Sequence, residues 1–231
     1  MQGWNWPGFF QYLTNGYLLG GAVTTLWLTA AAISAGLVLG FILAMMRLSR
    51  LRVLRLPALF YIWLFRGTPV LVQLIVLYTG LPQFGIKLSV VESALLGLTL
   101  NEAAYLSEIV RAGISAVSAG QSGAARALGM REPQIMRYVV MPQALRIIIP
   151  PLGNSVNGLL KTTSIASVIS MEELLRRTQI LIQERFLVLE LFTVAAIYYL
   201  LMTTAWDFVQ RRIERRFGRA YDRVAASTEQ R

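Results

Sequence analysis

Six polar residues in two otherwise apolar stretches are the best candidates for a solute-binding site. They form two groups, Asn101, Tyr105 and Glu108, and Asn154, Asn157 and Lys161. The spacing is i, i+4, i+7 in the first group and i, i+3, i+7 in the second, so each group shares one face of a helix. Carboxylate, ammonium, phenol and amide groups on two facing helices can bind a small polar solute by ion pairs and hydrogen bonds.

The charged members of these groups have two interpretations. A charge inside a membrane span costs about 2.5–3.5 kcal/mol on insertion scales. Such a charge is therefore typical of a residue that lines a solute pathway or pairs with an opposite charge. One interpretation is a polar cavity for a polar or charged solute. The other is a structural ion pair of Lys161 with Glu102 or Glu108 that holds two helices together. Both hold if one carboxylate is paired and the other is free.

The composition excludes most catalytic chemistry. The chain contains no His and no Cys, which removes imidazole acid–base chemistry, thiolate nucleophiles and the usual zinc ligands. No GxxxxGK[ST] motif for ATP phosphates occurs. Ser164 and Lys161, one turn apart, are the only obvious nucleophile pair. We therefore expect no enzyme activity, no cofactor and no metal, with any ATP hydrolysis in a partner chain.

Long apolar runs predict an all-α integral membrane protein. Of 231 residues 55% are hydrophobic and 15% charged, and the mean hydropathy is +0.55; soluble domains carry about 25% charged residues. The net charge of +10 comes almost entirely from arginines between the apolar runs. This is the positive-inside pattern of membrane proteins rather than a nucleic-acid-binding surface.

About five transmembrane helices are expected, with the N-terminus outside and the C-terminus inside. The predicted spans are 17–46, 67–80, 88–112, 145–169 and 186–208. An interfacial helix at 58–65 precedes a break at Pro69, Pro150, Pro151 and Gly153 should interrupt the fourth span, and the mixed-charge segment 171–185 should lie outside. Sixteen of the 22 basic residues fall in segments that this topology places in the cytoplasm.

The two ends flank a transmembrane domain at 17–209. Residues 1–16 have no charged side chain and several aromatic ones, which indicates a periplasmic interfacial segment, or alternatively a disordered tail. Without a basic n-region we expect no signal cleavage. Residues 210–231 form a basic, helical cytoplasmic tail that would lie against anionic lipid.

The loop at 115–142, which should turn at Pro142 into the fourth span, is the most specific local signal. Its first part, 115–129, consists mainly of small residues, and alanine at 124, 125 and 127 favours a helix with little bulk. Gly129 suits the C′ position that ends a helix. Such a helix can enter a groove of another protein, or it can be a connector packed on its own bundle.

This loop resembles the EAA motif of the membrane subunits of bacterial ABC importers. That motif is Glu-Ala-Ala, three residues, Gly, nine residues, then Ile-x-Leu-Pro. Here Gly123-Ala124-Ala125 is followed at the same spacing by Gly129 and by Val139-Val140-Met141-Pro142. Gly123 replaces the glutamate that helps to fix the helix in such importers.

The wider chain, over residues 15–215, is similar to the permeases for polar amino acids and opines. The similar segments are RGTPVLVQLIVLYTGLP, NEAAYLSEIVRAGI, GQSGAARALG, PQALRIIIPPLGN and LLKTTSIASVI. Many relatives have Asp at the position of Thr162, so this chain lacks one carboxylate near the membrane midplane.

The resemblance implies a subunit of an ATP-driven importer in the bacterial inner membrane. Its partners would be ABC ATPase subunits, a periplasmic solute-binding protein and a second permease, identical or related. The residues that would couple to the ATPase are Gly120, Gln121, Gly123, Ala124, Ala125, Arg126, Gly129 and Pro142. The six polar residues would bind the substrate, with Glu108 holding an ammonium group and Lys161 or an amide a carboxylate. The alternative is a secondary transporter or channel for a small polar or charged solute.

Overall fold

The part of the chain that the structure describes is mostly helical, with short turns and extended links between the helices. The computed structural model describes residues 4–228, with side chains for residues 4–217. The α-helices are α1 Trp6–Leu13, α2 Gly16–Leu48, α3 Arg52–Gly67, α4 Val70–Ile75, α5 Val90–Ser115, α6 Ala119–Ala127, α7 Glu132–Ile135, α8 Met141–Thr162, α9 Leu174–Arg185 and α10 Val188–Thr228. The remaining helical elements are two π-helical segments, Val76–Gly80 and Met136–Val140, and two 3₁₀ segments, Leu81–Phe84 and Thr163–Ile169. The all-α prediction is confirmed.

Two helices are long and apolar enough to cross a membrane by themselves. They are α2, with a mean hydropathy of 2.2, and the Val188–Phe217 part of α10, with 1.7. Helix α3 and the helical run Val70–Phe84 pass the same test together but are bent by 102°. Helices α5 and α8 have sufficient length, 26 and 22 residues, but carry the polar side chains of the candidate site. The count of five spans and their orientation stay predictions.

The bend between α3 and α4 lies where the sequence places it. Thr68 and Pro69 are extended, because a proline disfavours the helical conformation of the residue before it. The helix before the bend is longer than predicted, since it begins at Arg52 and contains Pro57. Its first turn is exposed, so water can solvate the carbonyl group that the proline leaves without a donor.

Residues 6–13 form a packed helix rather than a tail. The Asn5 side chain caps α1 by accepting from the Gly8 N–H at 2.9 Å. The Asn5 N–H donates to Glu190 Oε1 at 2.7 Å, and the Tyr198 hydroxyl donates to the Leu13 carbonyl at 2.9 Å. These bonds attach α1 to α10. Residues 1–3 lie outside the described part of the chain, and the interfacial position of α1 stays a prediction.

Helices α2 and α5 form the closest packed pair at the centre of the molecule. Gly36 and Gly40, one turn apart on α2, face the stretch of α5 that begins at Ala103. A methyl group on Gly40 would lie 2.9 Å from the Ala103 carbonyl oxygen and 3.0 Å from Leu106 Cβ. A methyl group on Gly36 would meet only ordinary contacts of 3.5 Å. Small residues let helix backbones approach each other in membranes, and here Gly40 is the one on which the approach depends.

Gly40→Ala is therefore expected to destabilise the protein, and Gly36→Ala is the matched control. Over-packing a close contact costs about 1–3 kcal/mol, whereas alanine gains about 1 kcal/mol over glycine in helix propensity. We expect a lower melting temperature in detergent for Gly40→Ala and an unchanged or higher one for Gly36→Ala. Equal melting temperatures for the two variants would contradict this account of the α2–α5 contact.

The chain is helical without interruption from Glu132 to Thr162, so the predicted turn at Pro142 and the predicted interruption at Pro150 and Pro151 are wrong. The π segment before Pro142 contains a bond from the Met141 N–H to the Met136 carbonyl, five residues back, and this wider ladder makes room for a residue that lacks an N–H. Further on, α8 continues through both prolines to Thr162, and the 3₁₀ segment that follows ends at Ile169, where the predicted span ends.

The segment predicted as a mixed-charge exterior stretch is largely the packed helix α9. Glu173 is fully buried and caps this helix, accepting from the Leu175 and Arg176 N–H groups at 3.0 and 2.8 Å. Its carboxylate also accepts from the Tyr199 hydroxyl of α10 at 2.9 Å. A buried carboxylate that accepts several hydrogen bonds has a structural role. Composition alone does not distinguish such a carboxylate from one that is exposed to water.

Candidate functional site

A polar cavity of about 750 Å³ lies between α5, α8 and the bend that joins α3 to α4. This volume is in the usual range of small-molecule sites. Its polar lining residues are Arg66, Thr68, Asn101, Glu102, Tyr105, Glu108, Ser155 and Thr162. The break at Pro69 opens the space, because the chain turns away from α5 and leaves the polar face of that helix uncovered.

The predicted face of α5 lines this cavity. The Asn101 side chain donates to the Phe65 carbonyl at 3.0 Å and to Gln73 Oε1 at 3.2 Å, so it also holds the bend in place. Tyr105 is 43% exposed, and its ring lies under the Arg66 guanidinium at 5.2 Å. All three α5 residues of the predicted set, including Glu108, therefore lie at one wall.

Glu108 is neutralised by two arginines. Its carboxylate forms ion pairs with Arg47 at the end of α2 and with Arg111 one turn later on α5, the latter at 3.0 Å. The predicted structural pair with Lys161 is not present among the described side chains, where Lys161 forms no ion pair. Glu108 is consequently a poor partner for a substrate ammonium group.

The predicted residues of α8 lie outside the cavity. The Asn157 amide donates to Asp207 Oδ1 at 2.7 Å, and the Gln210 amide donates to Asn154 Oδ1 at 3.5 Å, so this face of α8 joins α10. Lys161 is exposed. The cavity is lined instead by Ser155, Gly158 and Thr162 of α8.

The lining residues of α8 form a sequence pattern of their own, which differs from the spacing of the predicted polar residues. Ser155 and Thr162 each follow a predicted residue by one position, which is a rotation of about 100° around the helix. Serine, glycine and threonine at i, i+3 and i+7 form a face of small side chains. A cavity needs small side chains at its wall, and this pattern could have indicated it.

Glu102 is the carboxylate that the cavity leaves without a cation. It lines the cavity, its polar neighbour is the Ser155 hydroxyl, and it forms no ion pair among the described side chains. The sequence names Glu102 as a possible partner of Lys161 and leaves it out of the predicted site, since it lies on a neighbouring face of α5. The cavity is wide enough to be lined by both faces.

The loop between α5 and α8 contains a short capped helix, α6. It spans Ala119–Ala127 rather than the predicted 115–129, because α5 continues to Ser115 and Ser118 is the N-cap. The Gly129 N–H donates to the Arg126 carbonyl at 2.9 Å and the Met130 N–H to the Ala125 carbonyl at 3.1 Å, the two bonds of a Schellman motif. Gly129 has a φ of +78°, which confirms its predicted C′ position.

The outer face of α6 is exposed and nearly without bulk. Most of the predicted coupling residues lie on it or beside it, namely Gly120, Gln121, Gly123, Ala124, Arg126 and Gly129, and Pro142 is exposed at the start of α8. Ala125 is the exception, since it is 4% exposed and packs inward. A Cβ on Gly123 would meet nothing within 4 Å.

An ion pair fixes the end of α6 to the next helix. Arg126 Nε lies 2.6 Å from Glu132 Oε1. Both side chains are well exposed, and the arginine holds the pKa of the Glu132 carboxyl below its usual value. A surface pair of this kind adds little stability, so its effect is to orient the turn at Gly129.

Comparisons with known proteins identify the family. Residues 36–219 match the family described as binding-protein-dependent transport system inner membrane component. The probable amino-acid ABC transporter permease protein YckA of Bacillus subtilis is 38% identical over 87% of this chain and 89% of its own. The octopine transport system permease protein OccM of Rhizobium radiobacter is 41% identical over 84% of this chain and 82% of its own.

Solved structures agree with this result. The crystal structure of an amino acid ABC transporter with histidines shares 37% sequence identity and a TM-score of 0.87, over 93% of this chain and 100% of that one. An inward-facing conformation of the MetNI methionine ABC transporter, 19% identical with a TM-score of 0.73 over 87% of this chain and 96% of that one, shares the fold. The chain thus belongs to the binding-protein-dependent transport system inner membrane components, as a multi-pass permease subunit of an ABC importer rather than an enzyme.

Proposed function

We propose that this permease subunit carries a polar amino acid, or an amino-acid derivative such as an opine, across the bacterial inner membrane. The observation on which this depends is the polar cavity with Glu102 as its unpaired carboxylate. An ammonium group is the substrate feature that such a carboxylate binds best. Relatives named for arginine in Corynebacterium glutamicum and for octopine support the amino-acid class.

The substrate site that we propose comprises Glu102, Asn101 and Tyr105 on α5, with Ser155 and Thr162 of α8 opposite. Glu108 would act indirectly, since Arg47 and Arg111 already neutralise it. The polar face at Asn154 and Asn157 has its bonds to α10 and would hold α8 in place. No bond is made or broken in the substrate, so the polar groups serve only to bind and release it.

The coupling surface that we propose is the outer face of α6, which would enter a groove of a separate ABC ATPase. Helix α6 follows α5 and precedes α7 and α8, so it is joined to both walls of the cavity. Its inward residue Ala125 belongs to an apolar core that also contains Ile114 of α5 and Ala144 and Ile148 of α8. Movement of α6 by the ATPase would be transmitted through this packed core to the cavity.

The remaining partners of this proposal are a second permease subunit, identical or related, and a periplasmic protein that delivers the solute. Large apolar side chains such as Val38, Ile42 and Leu200 are exposed, which suits contact with lipid and with a second subunit. A secondary transporter or channel is set aside, because neither needs the exposed helix α6 or belongs to this family.

Reconstitution tests the proposal. The permease, co-expressed with its ATPase and placed in liposomes with the solute-binding protein outside, should take up labelled amino acids only when ATP is inside. Uptake that proceeds equally without ATP would contradict the importer function. Failure of the permease to co-purify with any ATPase would contradict the proposed role of α6.

A further inference from the structure

The charged groups at the cavity do not balance. The carboxylates of Glu102 and Glu108 and the guanidinium group of Arg66 line the cavity, and the guanidinium groups of Arg47 and Arg111 pair with Glu108. The net charge of the site is therefore +1. This surplus is unexpected for a site whose substrate brings an ammonium group, and it restricts which amino acids the cavity can hold.

The surplus charge is concentrated at one end. Arg47 and Arg111 share the single carboxylate of Glu108, so this group has an excess of positive charge. Like charges held together in this way attract an anion, and the Debye length of about 8 Å at physiological salt keeps this attraction effective inside the cavity.

Arg66 is the member of this group that faces the cavity. It lines the cavity, forms no ion pair among the described side chains, and has the Tyr105 ring as its support at 5.2 Å. A planar guanidinium group held on an aromatic face can bind a carboxylate through two parallel hydrogen bonds. Glu102, without a cation, offers the complementary anion.

We infer that the cavity selects amino acids of zero or negative net charge over cationic ones, with Arg66 binding the substrate carboxylate. A zwitterion matches one free carboxylate and one free guanidinium group. A second carboxylate on the substrate is attracted by the net positive charge, and a cationic side chain is repelled by it. This inference rests on the proposed function and names the substrate class of its site.

Binding of three labelled amino acids to the permease–ATPase complex in lipid nanodiscs tests this, without the solute-binding protein. At pH 7 we expect glutamine and glutamate to bind at least about tenfold more tightly than arginine, since like-charge juxtaposition is costly. Arg66→Met should weaken glutamate binding by about tenfold or more. Arg66→Lys should restore part of it, because the charge remains while the two-bond geometry is lost.

Two further variants keep the test specific. Arg55→Met removes an exposed arginine from the same helix, α3, outside the cavity, and should leave all three affinities unchanged. Thr162→Asp adds a carboxylate to the cavity wall and should shift the arginine-to-glutamate affinity ratio toward arginine by about tenfold. Melting temperatures of all variants identify any that fail to fold.

Tighter binding of arginine than of glutamine by the wild-type complex would overturn the inference. So would an unchanged glutamate affinity in a folded Arg66→Met variant. Neither result touches the proposed function, which is tested by reconstituted uptake with and without ATP. The two conclusions are thus tested by separate measurements.

Discussion

Replacing Glu102 by glutamine is expected to reduce substrate affinity by about 100-fold. Glu102 lines the cavity without a cationic partner, so a substrate ammonium group would be its only counter-charge. Removing one member of a desolvated, hydrogen-bonded charge pair costs about 2–5 kcal/mol, and each 1.4 kcal/mol is a factor of ten. The substitution keeps the shape of the side chain, removes its charge and replaces one acceptor oxygen by an amide donor, so the effect reports the loss of the carboxylate.

The same substitution should not destabilise the protein. A charge inside a membrane span costs about 2.5–3.5 kcal/mol on insertion scales, so Glu102→Gln should leave the melting temperature equal or higher. Loss of affinity with retained stability is the result that a binding residue gives, whereas a residue with a purely structural role loses stability first. Titration of labelled glutamine, together with thermal unfolding of the same sample, measures both quantities.

Asn157→Ala is the matched control for Glu102→Gln. The Asn157 amide donates to Asp207 at 2.7 Å between α8 and α10, and its removal leaves that carboxylate without this donor. We expect a lower melting temperature and an unchanged affinity for glutamine. If Glu102→Gln keeps full affinity while Asn157→Ala loses it, the cavity assignment is wrong and the α8 face that the sequence indicated binds the substrate.

The contrast between the two helices shows how far periodicity can identify a site. On α5 the polar spacing leads to residues that line the polar cavity, because polar side chains of that helix converge on one space. Helix α8 lies between α5 and α10, and it has polar side chains on both sides. The spacing of Asn154 and Asn157 identifies a shared face, but only the packing decides whether that face meets a cavity or a neighbouring helix.

Glu108 has two partners, and only Arg111, one turn away on α5, lies near it in the sequence, whereas Arg47 could not be found from the local sequence. Arg111 and Arg146 lie at the ends of their predicted spans, and Lys161 is the only basic residue deeper inside one, which favours it as the partner. Arg47 lies at the end of α2, 61 positions before Glu108, and reaches it because Gly40 lets α2 and α5 approach closely. The close approach of α2 and α5 therefore determines the charge of the site, and the sequence around Glu108 does not predict this approach.

The continuity of the helix through the prolines of α8 could not be predicted from the sequence for a related reason. A proline inside a helix lacks a donor and clashes with the preceding turn, so the sequence favours a break at Pro142 and at Pro150. In the folded chain a π segment accommodates the first. At the second, α10 binds the helix through the Trp206 indole and the Gly153 carbonyl at 2.8 Å. Contacts between distant segments thus outweigh the local preference.

A tryptophan in place of Ala124 is expected to uncouple the permease from its ATPase. Ala124 is exposed on α6, so the large side chain enters solvent in the isolated subunit and leaves the fold intact. Within a close-fitting groove the same side chain over-packs the contact, which typically costs about 1–3 kcal/mol. We expect ATPase binding to weaken by roughly 10–100-fold and ATP-driven uptake to fall with it, while glutamine binding to the cavity stays unchanged.

Substitutions at two glycines, Gly123 in α6 and Gly129 just after it, separate the effect of side-chain volume from the effect of backbone strain. Gly123→Ala adds no bulk that reaches a partner and should stabilise α6 by about 1 kcal/mol, so coupling should be kept or improved. Gly129→Trp also should uncouple, but it adds strain as well as bulk, because Gly129 has a φ of +78°. Asparagine tolerates that conformation, so the Gly129→Asn variant should keep coupling. Normal ATP-driven uptake by both Ala124→Trp and Gly129→Trp would show that α6 is a connector packed on its own bundle, and that the ATPase contacts another surface.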